Sequence, residues 1–339
     1  MPDTSLGLLL LVVAGVMNAS FTLPMKYTRR WAWENTWLAW TIFALLIFPP
    51  VAAWLTLPQL ASVYHATGAS RVWIVAAFGA GWGVSQVLFG LAAESIGIAL
   101  TFSIVLGISA GVGSVIPMIR NHPEKIFSTV GAGLFAGVAL IAIGVGFCAV
   151  AGRHREASLR SASSAPGSSM ARGLVMAIIC GFGACFVNLG LDSGKPLLEA
   201  AEKFGASHVW SANAAWLPLM VAGALPNLVY CFYLLAKNKT RSRFGSSRTV
   251  SHWLMALLMA IFWFGSTSLY GVSAGKLGSW GTTLGWPLFM SLIVITASLL
   301  GILTGEWRNT GTKPLRVQLT GVAVLVLAVF VLAAASRSI

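Results

Sequence analysis

Trp82-Gly-Val-Ser85-Gln86-Val-Leu88-Phe89-Gly90-Leu-Ala-Ala93-Glu94-Ser-Ile96-Gly97 recurs 181 residues later as Trp263-Phe-Gly-Ser266-Thr267-Ser-Leu269-Tyr270-Gly271-Val-Ser-Ala274-Gly-Lys276-Leu277-Gly278. Six registered positions are identical without a gap (Trp, Ser, Leu, Gly, Ala and Gly), and Phe/Tyr and Ile/Leu are close exchanges. In each copy Trp, Ser, Gln or Thr, and Phe or Tyr fall at i, i+3, i+4 and i+7, which is one face of a helix. A stripe of aromatic, hydroxyl and amide groups that occurs twice in apolar helices predicts two facing walls of one cavity. The plainer alternative is helix packing, in which small residues let backbones approach and polar ones bond across helices.

Around these copies the chain is 57% hydrophobic and only 9% charged over 339 residues, with a mean hydropathy of +0.82. That excludes an ordinary soluble fold and predicts an all-α polytopic membrane protein. The net charge of +13 sits in short basic runs between apolar segments, which are topology signals and not a nucleic-acid surface. Cys148, Cys180, Cys185 and Cys231 lie inside apolar segments without CxxC spacing or a His partner, so free thiols are expected. Met1-Pro2-Asp3 supplies no basic leader region, and the first apolar segment, which has no A-x-A-like site at its end, is expected to stay as an anchor.

Ten segments reach the roughly 20 apolar residues a crossing needs, at approximately 5 to 24, 36 to 57, 71 to 93, 97 to 119, 128 to 150, 172 to 191, 209 to 236, 251 to 271, 281 to 304 and 316 to 336. Only Glu94-Ser95-Ile96 separates the third from the fourth, which predicts a tight hairpin. Residues 151–171, with Arg153, Arg155, Arg160 and the Ser161 to Ser169 run, read as a flexible basic Ser/Ala/Gly linker. It divides a first five-helix repeat, 1–150, from a second, 172–339. Gly7/Gly15 and Gly173/Gly181 share one spacing in helices one and six, and Pro49 and Pro226 are expected to kink helices two and seven. Because five is odd, the second copy enters the membrane from the other side. The expectation is therefore ten transmembrane helices as a 5+5 inverted repeat, an architecture of secondary transporters whose site lies between the copies.

Fifteen of the 22 basic residues, among them Lys26, Arg29, Arg30, Arg153, Arg155, Lys237, Arg243, Arg308 and Arg316, fall in one set of alternate loops. Positive-inside counting puts these in the cytoplasm and both termini outside it, in the periplasm. Trp31, Trp33 and Trp37 then read as interfacial anchors of the second helix.

No catalytic or metal motif is complete. Gly190-Leu-Asp-Ser-Gly194-Lys195-Pro196 imitates a phosphate loop but has three residues between its glycines in place of four and a Pro after the Lys. The five His are scattered without paired spacing, and no GxSxG or SxxK element occurs, so neither an enzyme, a metal centre nor a cofactor is expected. Polar residues within the helices are Asn18, Ser20, Gln86, Asn188, Asn213, Asn227, Ser266, Thr267 and Tyr270. Neutral hydrogen-bonding groups with aromatic rings suit an uncharged polyol, whose apolar face stacks on rings while amides and hydroxyls meet its OH groups. For each Asn a helix-to-helix hydrogen bond is an equal alternative. Charges are few near the membrane: Glu94, Asp192, Lys195 and Glu306 stand at helix ends, with Asp192 and Lys195 at i and i+3. An ionisable group at depth costs about 2.5–3.5 kcal/mol to insert, which makes such a group a functional candidate, though a carboxylate at the interface can be merely solvated or paired.

The segment Lys26 to Trp37 with Trp31-Ala-Trp33-Glu34, the junction from Phe89-Gly90 to Gly97, Gly194-Lys195-Pro196, and Gly305-Glu306-Trp307 together, in this order and spacing, resemble the L-rhamnose/proton symporter family. That family belongs to the drug/metabolite transporter superfamily of five-plus-five carriers, and the resemblance runs over almost the whole chain. It implies a bacterial cytoplasmic-membrane sugar carrier driven by the proton gradient. The chain departs from the family pattern at Glu94, where a basic residue is usual, at Asp192, where an amide is usual, and over Ser279-Trp280-Gly-Thr282-Thr283. These departures bear on which sugar is carried more than on the class of transporter.

The combined expectation is proton-coupled symport of a small neutral sugar such as L-rhamnose by alternating access, with the lipid bilayer as the only other partner and no nucleic acid. Trp82, Phe89, Trp263 and Tyr270 are expected to clamp the sugar ring, and Asn18, Gln86, Asn188, Ser266 and Thr267 to orient it. Asp192 is the first candidate for proton coupling and Glu94 the second. Two alternatives stand beside this: a metabolite or drug exporter of the same superfamily, and a membrane sugar sensor that does not transport. A nucleotide-sugar carrier is disfavoured because the helices hold almost no Lys or Arg for phosphates.

Overall fold

The computed structural model describes residues 4–159, 170–245, 249–305, 307–308 and 310–337, and every regular element among them is helical. Ten helical stretches are long and apolar enough to cross a membrane. In chain order, spans 1 to 10 are Thr4–Tyr27, Trp33–Thr56, Ala69–Ala93, Leu100–Asn121, Thr129–Arg155, Met170–Lys203, Asn213–Lys237, Val250–Lys276, Gly278–Leu303 and Thr312–Ser336. Helix is dictated by the solvent: hydrocarbon offers no hydrogen-bond partner, so each span must satisfy its own backbone. Large apolar side chains accordingly point outward, with Trp54, Trp73, Val229 and Phe330 all exposed on the bundle surface.

Most boundaries lie within a few residues of the sequence expectation, and the departures have local causes. Glu94, Ser95 and Ile96 do not form a connection; they continue the third helix, and the chain turns on Gly97 alone, at φ 87° and ψ 153°. Only glycine tolerates that conformation without strain. The helix of span 5 runs to Leu159, into the stretch expected to be linker, and the next helix starts at Met170. The Ser161 to Ser169 run, Arg160, Glu306 and the Glu94 side chain lie outside what is described.

Four spans are not continuous α-helix: span 1 ends in a 3-10 turn over Leu23–Tyr27, span 9 begins with one over Gly278–Trp280, and spans 2 and 6 change within their length. Span 2 is α-helical over Trp33–Thr41, π-wound over Ile42–Ile47 and α-helical again over Phe48–Thr56. Pro49 and Pro50 supply no N–H, and the Phe48 N–H reaches the Phe43 carbonyl five residues back, which widens the turn. Pro226 does not interrupt its helix, since it and Pro218 sit inside Asn213–Lys237. Span 6 is three helices, Met170–Ala184, Phe186–Ser193 and Lys195–Lys203, interrupted at Cys185 and at Gly194 ahead of Pro196.

Span 1 packs on spans 8 and 9, and span 6 packs on spans 3 and 4. Span 3 also lies along span 7, span 2 along spans 7 and 8, span 4 along spans 5 and 9, and span 10 along spans 5 and 9. Glycines set the closest approaches: a Cβ on Gly79 would lie 1.9 Å from the Leu219 carbonyl oxygen, and one on Gly83 would lie 2.3 Å from that of Gly223. A Cβ on Gly7 would meet Leu277, and one on Gly173 would meet Ile96.

Candidate functional site

The two copies of the repeated stripe meet at mid-span. Trp82 of span 3 and Trp263 of span 8 stack with ring centroids 5.2 Å apart and planes 21° apart. Gly223 of span 7 makes room for this, because a Cβ there would lie 2.8 Å from the Trp82 ring. Ser85 and Ser266, the next matched pair, each donate to the carbonyl of their own Trp, Trp82 and Trp263, at 2.7 Å. Of the two stripes only this Trp pair meets among the described residues, ring on ring: Ser85 abuts Gly183 of span 6, Ser266 accepts from Asn18 of span 1, Phe89 meets Phe102 of span 4 and Tyr270 packs on span 9, so the stripes do not face each other along their length. A sugar sandwiched between two rings needs about 3.5–4 Å of contact on each side, so rings 5.2 Å apart hold no sugar between them.

Span 2 extends the aromatic surface. Trp40 sits edge-on to Trp263 at 5.3 Å, Trp37 lies 4.6 Å from Trp40, and Phe21 of span 1 touches both. Trp37 Nε1 donates to Asn227 Oδ1 at 3.0 Å, and Asn227 Nδ2 donates to the Gly223 carbonyl. Trp37 is thus part of the interior and not a surface anchor; Trp31 is buried too, against Phe244, His252 and Trp253, while Trp33 is exposed.

The polar candidates divide by how fully protein groups occupy them. Asn18 Nδ2 donates to Ser266 Oγ at 2.8 Å, and Thr267 Oγ1 donates to the Trp263 carbonyl at 3.0 Å. Gln86 and Phe89 are half-buried; Phe89 meets Phe102 edge-on at 4.7 Å, and Gln86 has no hydrogen-bond partner among the described residues. Asn188, fully buried, is occupied at both ends. Its Nδ2 donates to the Gly113 and Thr282 carbonyls at 2.7 and 2.8 Å, and its Oδ1 accepts from the Tyr270 hydroxyl. One amide therefore ties spans 4, 6, 8 and 9 together. Tyr270 is itself enclosed by Trp286 and Phe289 of span 9, and Trp286 Nε1 donates to the Ser109 carbonyl of span 4.

Asp192 stands where span 6 breaks, and its side chain is almost wholly buried. Oδ1 accepts from Lys195 Nζ at 2.7 Å, Thr282 Oγ1 at 2.7 Å and Asn121 Nδ2 at 2.8 Å, while Arg120 Nη1 is 3.8 Å from Oδ2. Arg120 also donates to Ser193 Oγ at 3.0 Å. The carboxylate joins the end of span 4 to the start of span 9 on the face opposite the basic loops. His122 and Trp280 stack beside it, 3.9 Å between centroids. Packing is tight here: Val187 to Ser193 and Gly281 to Ser291 are buried throughout, whereas between Leu292 and Leu303 only Ser298 and Gly301 are.

A second carboxylate does the corresponding work on the basic face. Glu34 Oε1 at the start of span 2 accepts from Thr240 Oγ1 at 2.6 Å and Asn238 Nδ2 at 3.1 Å, beyond the end of span 7. Toward the same face, a cavity of about 220 Å³ lies between spans 4, 5, 9 and 10, lined by Phe102, Leu106, Ile293, Val294 and Gln318 among others. None of the sequence-predicted site residues lines it, and Phe89 reaches its edge only through Phe102.

Sequence reasoning missed Phe21, Trp40, Arg120, Asn121 and Thr282. Arg120-Asn121 looked like the polar end of a helix, and Trp40 like one more apolar residue of span 2. Nothing in the spacing of Arg120, Asn121 and Thr282 marks them, since their partners Asn188, Asp192 and Ser193 lie more than 70 residues away.

Residues 3–336 match the family described as L-rhamnose-proton symport protein (RhaT). The chain is 28% identical over 331 residues to proteins named L-rhamnose-proton symporter from Citrobacter koseri and Escherichia coli, covering 96% of this chain and 96% of each relative. A relative of the same name from Cronobacter sakazakii is also 28% identical, over 95% of its length.

Proposed function

Because the chain belongs to the L-rhamnose-proton symport protein family, we propose that it carries L-rhamnose, or a closely related 6-deoxyhexose, together with a proton across the bacterial cytoplasmic membrane. The observation that carries this reading is the family match over 3–336. The Trp82–Trp263 stack at the crossing of the two stripes supports it from the side of chemistry, since neutral hydroxyl and amide groups beside indole faces are what an uncharged sugar requires.

The proposed architecture is two five-helix halves in inverted repeat. Shifting span numbers by five supports it. Span 1 on spans 8 and 9 becomes span 6 on spans 3 and 4, and span 4 on span 5 becomes span 9 on span 10. Gly7 against Leu277 becomes Gly173 against Ile96, and Ile96 and Leu277 are matched positions of the repeated stretch.

The proposed conformation is closed on the face of Asp192 and looser toward the basic face between spans 4 and 9, in keeping with the buried run Gly281 to Ser291. With the basic loops in the cytoplasm, the sugar would leave inward from this state and both termini would be periplasmic. Trp82, Trp263, Phe89 and Tyr270 would clamp the sugar when the halves separate, with Asn18, Gln86, Ser266, Thr267 and Asn188 supplying hydrogen bonds. Asp192 would couple the proton: ionised, it holds Lys195, Asn121 and Thr282; protonated, it loses its attraction for Lys195 and Arg120 and the outer side opens. Glu94 is the second candidate.

Uptake of labelled L-rhamnose, other deoxyhexoses and pentoses into energised vesicles, with and without a protonophore, tests the reading. Accumulation of L-rhamnose or a near relative that collapses with the protonophore is expected. Accumulation of none of them, or accumulation indifferent to the protonophore, overturns it.

A further inference from the structure

Three indole N–H groups near the site have a partner: Trp31 Nε1 donates to the Arg243 carbonyl, Trp37 Nε1 to Asn227 and Trp286 Nε1 to the Ser109 carbonyl. Trp40 is different. It is 1% exposed, yet its Nε1 has no hydrogen-bond partner, and neither does the hydroxyl of Thr41 beside it. A buried donor left unsatisfied opposes folding, and phenylalanine would offer the same edge-on contact without that cost. The position of this donor suggests what offsets it. Trp40 touches Trp263 on one side and Trp37 on the other, in the middle of the aromatic row that contains the Trp82–Trp263 stack.

The backbone adds an independent observation. Thr41 is the last residue before the π-wound segment Ile42–Ile47. Such segments are uncommon and gather at functional sites, because the wide turn lets a helix change its register or direction locally. Trp40 therefore stands in the last turn of α-helix before the π-wound segment, two residues ahead of Ile42. Trp216 provides the contrast. Its Nε1 is also without a partner, but it packs 2.7 Å from where a Cβ on Gly271 would sit, inside continuous α-helix, with no row of rings around it.

We propose that Trp40 is a sugar-contacting residue of the carrier, its indole N–H donating to a hydroxyl of the neutral sugar once the Trp82–Trp263 stack parts. This rests on the transport reading. The sugar is held by rings on its apolar face, Trp263 and Trp82, and the Trp40 donor at their edge selects for a hydroxyl at one position of the pyranose. In the sugar-free, stacked state the donor waits unpaired.

The test replaces Trp40, in the full-length protein in detergent, by the isosteric benzothienylalanine, which lacks the N–H, and separately by Phe (Trp40→Phe). Binding of L-rhamnose and of its monodeoxy analogues is measured together with thermal stability. The expected result is a roughly three- to tenfold loss of L-rhamnose affinity in both variants, the effect of one lost hydrogen bond, with stability unchanged or raised. One monodeoxy analogue should bind wild type and variants equally, which identifies the hydroxyl that Trp40 holds. Trp216→Phe should leave affinity unchanged. Unchanged L-rhamnose affinity in the benzothienyl variant overturns the assignment and leaves the transport reading intact. Absence of saturable L-rhamnose binding by the wild-type protein overturns the transport reading and the assignment with it.

Discussion

Trp82 and Trp263, 181 residues apart in sequence, stack face to face at 5.2 Å and join span 3 to span 8. Each is almost completely buried, at 4% and 8% exposure. Truncation to alanine is therefore expected to destabilise the protein by about 3–5 kcal/mol through the cavity it leaves. Trp263→Phe, which keeps a ring, separates binding from folding. Its thermal midpoint should stay within a few degrees of wild type while sugar affinity drops several-fold, read by binding in detergent. A variant that loses stability but keeps its affinity would show the stripe to be packing alone.

Asp192→Asn removes the charge that Lys195 and Arg120 face while keeping an oxygen for Thr282 and Asn121. Uphill, protonophore-sensitive uptake should be abolished, while sugar binding and downhill exchange survive. Vesicles that still concentrate sugar with unaltered pH dependence would make Asp192 a structural latch of the outer side, and Glu94→Gln would be measured next.

Gly79 admits no side chain, because a Cβ there would fall 1.9 Å from the Leu219 carbonyl oxygen. Backbone atoms cannot rotate out of the way, so Gly79→Ala forces spans 3 and 7 apart and carries Trp82 with them. Loss of several degrees in thermal midpoint is expected, with transport falling in parallel. Gly90→Ala, which meets nothing within 4 Å, should be close to neutral and serves as the control.

Gly97 forms the whole turn between spans 3 and 4 at φ 87°. Gly97→Ala should cost on the order of 1–3 kcal/mol from backbone strain alone, measured as a lowered thermal midpoint.

The proposed orientation rests on charge. A reporter inserted between Ser161 and Ser169 should behave as cytoplasmic and one fused after Ile339 as periplasmic. The reverse pattern would invert the assignment of inner and outer faces and the direction in which the present conformation opens.

What the sequence determined by itself was everything that hydropathy and repetition encode. Ten apolar stretches of sufficient length leave helix as the backbone that satisfies its own hydrogen bonds in hydrocarbon, so the class was readable and most span boundaries were within a few residues, while the sixth span runs to Lys203, 12 residues past its expected end. The gapless match of Trp82–Gly97 to Trp263–Gly278 also marked Trp82 and Trp263, which stack on each other. The tertiary structure decided which polar groups are already occupied. Asn188 and Gln86 look alike in the sequence, but Asn188 binds Gly113, Thr282 and Tyr270 from three other spans while Gln86 has no such partner among the described residues. The same holds for Asp192 with Asn121 and Thr282, and for Trp40 between the rings of Trp37 and Trp263. The physical reason is that a helix presents every side chain at a fixed angle regardless of what lies opposite. Local periodicity reports the face a residue is on, and the donor or ring that meets it comes from a span whose position only the packing of the whole bundle sets.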